Sequence, residues 1–155
     1  MAQAKARKQT TPFKSAFWDT SAIIPLCCLQ QQTKKARQAY RLFPRLVVWW
    51  ATGVECSSAL YRLERRRELS ARETQLASES LGRHRQHWTE VTALDEVRNL
   101  AQRLPRTHPL RAADALQLAA ALVWCASHPK GRTFICGDDR LMEAAEKEGF
   151  NVIRM

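Results

Sequence analysis

Acidic residues are scarce in this chain: its 155 residues include 15 Asp and Glu against 25 Lys and Arg, a formal net charge of +10. A body this basic draws polyanions, nucleic acid foremost, through phosphate contacts and counterion release. Long apolar runs are missing too. No uncharged apolar stretch approaches the roughly 20 residues of a membrane-spanning helix, and no apolar segment follows the basic start as a signal peptide requires. The expectation is a soluble, cytoplasmic protein without a membrane partner. Cys27, Cys28, Cys56, Cys125 and Cys136 are odd in number and lack C-x-x-C spacing, so they read as reduced core thiols rather than a disulfide framework. His84 and His87 lie three apart, but no partner ligands accompany them. With Arg83 and Arg85 they read as a solvated helix face.

The length suits one domain with a single core. Residues 1–14 contain Lys5, Arg7, Lys8 and Lys14, no acid, and none of the periodicity of a packed element. They are expected to form a mobile basic tail ahead of a domain covering 15–155. Apolar runs and turn residues then predict strands over 15–18, 46–50 and 133–136, a short strand ending near Val91, and a last strand over 151–154. Helices are predicted over 21–29, 33–43, 52–67, 70–88, 93–104, 110–126 and 140–148, with a break over 105–109 and a stop at Gly149. Thr52-Gly53-Val54-Glu55 and Ser70-Ala71-Arg72-Glu73 both have the capping-box pattern. Strands alternating with helices argue for an α/β sandwich around a parallel sheet.

Within that scheme, Asp19, Glu55, Asp114 and Asp138 stand out. Asp19 and Asp138 each follow a predicted strand, where ligands of open parallel sheets gather. Each could simply cap a helix, and Glu55 could be the reciprocal acid of a capping box. Asp114 discriminates better. Between 110 and 126 only Arg111, Asp114 and Gln117 are polar, a stripe narrow enough to line a cleft, although an Arg111 to Asp114 surface pair would also fit. Converging carboxylates titrate upward unless a cation compensates them, and magnesium or manganese, which prefer oxygen ligands, are the natural choice.

Four segments occur in order: Phe17-Trp18-Asp19-Thr20-Ser21-Ala22, Val54-Glu55-Cys56-Ser57-Ser58-Ala59-Leu60, Leu110-Arg111-Ala112-Ala113-Asp114-Ala115-Leu116-Gln117-Leu118-Ala119, and Asp138-Asp139-Arg140-Leu141. With the trailing Ala144-Ala145 and Gly149-Phe150, the chain resembles a PIN domain, and among these the VapC toxins of VapBC toxin–antitoxin modules. The resemblance implies a three-layer α/β/α fold with a central, mainly parallel sheet. It implies a magnesium- or manganese-dependent ribonuclease, commonly a homodimer, held inactive by a VapB-like antitoxin. Asp19, Glu55, Asp114 and Asp138 match the four acidic positions of the family, as catalytic and metal-binding residues. Arg111 is a candidate for meeting an RNA phosphate or an antitoxin acid.

The chain also departs from the pattern. Cys136 stands where family members often have Ser or Thr, which questions a supporting hydrogen bond but no ligand. Asp139 could replace Asp138, although the spacing from Asp138 to Leu141 fits the family better. The stretch before Phe13 is longer than usual. An alternative is a PIN-like binding module without catalysis, against which the retention of all four acids argues. A phosphatase with an aspartyl nucleophile would want a second acid two residues after Asp19, where Ser21 stands.

Overall fold

Side chains alternate across a strand, so a strand buried on both faces reads as continuous apolar sequence. Ser15–Trp18 (β1), Arg45–Trp49 (β2) and Thr133–Cys136 (β4) are such strands, and Thr89–Val91 (β3) and Asn151–Arg154 (β5) flank them. The structure, a computed structural model, describes residues 14–155; nearly all of the expected basic tail lies outside them. The five strands form one sheet in the order β3-β2-β1-β4-β5, parallel at every pairing.

Phe17, Val47, Trp49, Phe134 and Cys136 point to one face, where they pack with Asp95–Arg103 (α5), Ala112–Trp124 (α6) and Asp139–Glu148 (α7). Their neighbours Ala16, Trp18, Leu46, Val48 and Ile135 point to the other. There they meet Thr20–Cys27 (α1), Thr33–Leu42 (α2), Thr52–Arg65 (α3) and Ala71–Arg85 (α4). This is the expected three-layer α/β/α arrangement. β1 lies between β2 and β4, and the chain leaves it toward one side and returns to β4 from the other. A crevice therefore opens at the carboxyl ends of β1 and β4, the switch point of the sheet.

Several local expectations hold in detail. Ser70 and Glu73 make both bonds of the capping box of α4. Gly149, at φ 105°, ends α7 in the left-handed conformation glycine adopts without strain. All five cysteines are free, with Cys56, Cys125 and Cys136 buried and Cys27 and Cys28 half-buried.

Other expectations need correction. The second capping box does not form. α3 begins after Ala51 with no side-chain cap, because Thr52 is buried and its hydroxyl accepts from Gln117 Nε2 at 3.2 Å, while the Glu55 side chain turns to other partners. α1 stops at Cys27, two residues after the internal Pro25, which cannot donate a backbone bond. α4 stops at Arg85, three residues short of expectation. α6 spans less than 110–126: Arg111 is its extended N-cap, and Ala126 and Ser127 turn to positive φ. The break after α5 contains one 3-10 turn, Leu104–Arg106. His84 is half-buried, edge-on to Tyr40 at 5.4 Å, so only His87 keeps the solvated position expected of both.

Candidate active site

Asp19 is the first residue after β1, and its backbone N–H still bonds to Ile135 of β4 at 3.0 Å, which pins the turn to the sheet. The side chain then caps α1, accepting from the Ser21 backbone N–H at 3.0 Å and from the Ser21 hydroxyl. Asp138 repeats this construction after β4: its Oδ1 accepts from the Leu141 N–H at 2.9 Å and caps α7. Both carboxylates are thus helix caps, as the simpler reading of the sequence had it. They also share one cleft. Glu55, in the first turn of α3, and Asp114, in the first turn of α6, line the same depression of about 680 Å³. The structure brings together all four acids singled out in the sequence.

Among the described residues, none of the four makes an ion pair. Glu55 Oε2 accepts from Thr20 Oγ1 at 2.8 Å and from Gln117 Nε2 at 2.9 Å. Asp19 is only 6% exposed, and burial, opposed by the Ser21 bonds and helped by the charges of Glu55 and Asp114, pushes its carboxyl up to about 6. Asp114 is half-buried and also held above its ordinary range, first by burial and then by the charge of Asp138. A buried carboxylate without a counter-charge favours its neutral form, so ionising these acids costs free energy that a bound cation would offset. Asp19 and Asp138 are tied to donors next in the chain and Glu55 to distant ones, and among the described residues no three His, Cys, Asp or Glu side chains stand in ready metal-holding geometry.

Cys136 is more than a departure from pattern. Its thiol lies 3.6 Å from Asp19 Oδ2 and accepts from the Asp138 backbone N–H at 3.2 Å. The bond that a Ser or Thr would supply is kept in weaker form, since sulfur is a poor donor and acceptor. Ser21 completes the link by accepting from the Gly137 N–H at 2.8 Å. Asp138 and Asp139 are separated clearly: Asp138 faces the cleft, while Asp139 Oδ1 takes a bond from Arg154 at 2.7 Å. Arg111 is exposed at the start of α6 and makes no ion pair with Asp114, although its charge acts on that carboxylate.

Gln117 was not expected in the site. It is 1% exposed, and its amide donates toward Glu55, Thr52 and Thr20, joining α6 to α3 and α1 beneath the acids. Its Oε1 has no partner among the described residues. The stripe Arg111, Asp114, Gln117 contained this signal, since a lone amide on an otherwise apolar helix needs a polar partner.

No protein-family model and no curated protein sequence matches the chain. Solved structures do. A toxin–antitoxin complex from Klebsiella pneumoniae matches at 18% identity over 80% of this chain and 87% of that one, with a TM-score of 0.54. VapC20 of Mycobacterium tuberculosis, a sarcin-ricin loop cleaving toxin, matches at 14% identity over 91% and 100%, with a TM-score of 0.64. FitAcB from Neisseria gonorrhoeae matches at 15% identity over 88% and 96%, with a TM-score of 0.60. At such identities the likeness is one of fold, and the fold is the PIN-like one that the sequence resemblance implied.

Proposed function

We propose that this chain is a metal-dependent endoribonuclease and the toxin of a toxin–antitoxin pair. The observation that carries the proposal is the gathering of Asp19, Glu55, Asp114 and Asp138 in one cleft, without ion pairs among the described residues, in a protein of net charge +10. The likeness of fold to structures described as a toxin–antitoxin complex and as a sarcin-ricin loop cleaving toxin supports the same reading. It also supports an antitoxin as partner, and a homodimer remains the assembly implied by the sequence resemblance.

Oxygen-only donors, two of them held above their usual pKa range, fit magnesium or manganese. Asp19, Asp114 and either Glu55 or Asp138 would hold the ion. When bound, it would polarise the scissile phosphate and stabilise charge on the leaving oxygen. The chain itself does the rest. Ser21 and Cys136 fix Asp19, and Thr20 and Gln117 fix Glu55, so neither carboxylate has to be ordered when substrate arrives. Asp138 is exposed and spends one oxygen on its helix cap. Whichever of Glu55 and Asp138 does not hold the ion would orient a water attacking the phosphodiester.

The test is incubation of purified protein with total RNA, in chelator and in magnesium or manganese. Cleavage is expected only with metal, and Asp114→Asn is expected to remain folded and inactive. Expression without antitoxin should slow growth, and Asp19→Asn should be harmless. Wild-type cleavage by nuclease-free Asp114→Asn protein would overturn the assignment.

A further inference from the structure

The cleft is not a closed pocket. Ala113, Asp114, Gly137 and Asp138 form its floor on one side, and the same four residues also line a neighbouring depression of about 540 Å³ that ends at Arg111 and Arg140. The two depressions are halves of one trough. At the opposite end stands Arg62, on α3 seven residues beyond Glu55 and so on the same face, about 10 Å further along the helix axis. The trough is therefore basic at one arm, acidic at its centre and basic at the other arm.

Arg62 and Arg140 are exposed, and among the described residues neither makes an ion pair, although carboxylates are close by. Nor does helix stability account for Arg140. It is the second residue of α7, where the helix dipole disfavours a cation. Asp139, the other acid of that arm, is bonded to Arg154, so it opposes Arg140 less than its position suggests.

We propose that Arg62 and Arg140 are phosphate-positioning residues at the two ends of a track for single-stranded RNA, which crosses the acids with at least one phosphate on each side of the cleaved bond. This rests on the ribonuclease reading and deepens it. Alternating sign along the trough selects a chain of phosphates over a single phosphate ester, because only a chain reaches both arms while its central phosphate lies over the acids. Guanidinium groups suit this role, since they stay charged and pair with phosphate oxygens through two N–H donors.

The experiment compares wild type, Arg62→Ala, Arg140→Ala and the double variant, with Arg37→Ala on the remote helix α2 as control. Cleavage of a hexaribonucleotide and of a dinucleoside monophosphate is followed with metal. On the hexamer each single substitution is expected to raise KM about tenfold with little change in kcat. On the dinucleoside monophosphate, which reaches neither arm, no effect is expected. In parallel, fluorescence anisotropy reports hexamer binding to the same variants made in the Asp114→Asn protein. There the slope of log Kd against log salt should flatten by about 0.7 for each arginine removed, and Arg37→Ala should change nothing. If wild type cleaves the hexamer but the variants keep its KM, Kd and salt slope, the track is wrong. If wild type cleaves no RNA at all, the ribonuclease reading falls, and the binding series still decides whether these arginines hold the strand.

Discussion

The acids gathered in the cleft and the ion-paired acids outside it live under different conditions in the same molecule. Outside, several carboxylates find basic partners: Asp95 pairs with Arg98 at 2.7 Å, Asp139 with Arg154 at 2.7 Å, Glu143 with Lys147 at 2.6 Å, and Glu148 lies 2.6 Å from buried His108, while others, such as Glu73 on Ser70 and Glu90 on Trp88, take neutral donors. Inside, Asp19, Glu55 and Asp138 are held by hydroxyls, an amide, a thiol and backbone N–H groups instead, and among the described residues neither they nor Asp114 make an ion pair. Abundance of cations does not explain the difference, because Lys and Arg outnumber Asp and Glu 25 to 15. Position does. Neutral donors orient a carboxylate while leaving its charge uncancelled, the condition a cation-dependent site needs.

Asp138 and Asp139 give the sharpest break of that comparison, being adjacent and of opposite kinds. Asp138→Asn is expected to lower ribonuclease kcat/KM about a thousandfold, roughly 4 kcal/mol of transition-state stabilisation. Asn also caps helices well, so the fold should persist. Asp139→Asn should stay within about threefold of wild type. Equal losses in steady-state assays of the two variants would dissolve the distinction.

The next effect is on stability against pH in chelator. A folded-state pKa raised from 3.8 to about 6 means that native Asp19 keeps its proton where the unfolded chain has lost it. Its contribution is fully present below the unfolded value and is lost as pH rises through about 6. The ionised form at pH 7 then costs roughly 3 kcal/mol. Asp19→Asn should therefore be more stable than wild type at pH 7, with the gap closing toward pH 4. Urea denaturation across that range measures it, and a gap independent of pH would mean that Asp19 titrates normally.

Metal should act on the same charge, more weakly. With a dissociation constant of about 1 mM, about 10 mM magnesium stabilises the native state by roughly 1.4 kcal/mol, a Tm rise of roughly 3 to 6 °C. Asp114→Asn should melt at or above wild type in chelator and respond little to the ion. The same thermal shift in both proteins would place the metal elsewhere. The smallest effect belongs to the paired acids. Arg98→Ala breaks an exposed pair and should move Tm by less than about 2 °C, with no dependence on metal.

Much of this was legible before the fold was known. β1 was bounded to the residue, the capping box at Ser70 and the glycine stop at Gly149 formed as their chemistry dictates, and the narrow polar stripe of α6 marked a cleft wall. Where local pattern misled, a distant residue had intervened. Thr52 and Glu55 have the spacing of a capping box, yet Gln117, more than sixty residues away, takes the Thr52 hydroxyl and shares the Glu55 carboxylate with Thr20. His84 looked solvated until Tyr40 covered it.

The sequence by itself determined the strand and helix alternation and the parallel α/β class and singled out the candidate acids, because periodicity, caps and strand-end acids are local properties of the chain. Only the tertiary structure decided that Asp138 rather than Asp139 lines the depression shared by Asp19, Glu55 and Asp114, that Cys136 and Ser21 bind the two strand-end acids into one unit, and that arginines flank them at both ends. Each of these depends on which side chains the sheet's switch point brings within bonding distance, and burial and charge at that point are set by neighbours far away in the chain.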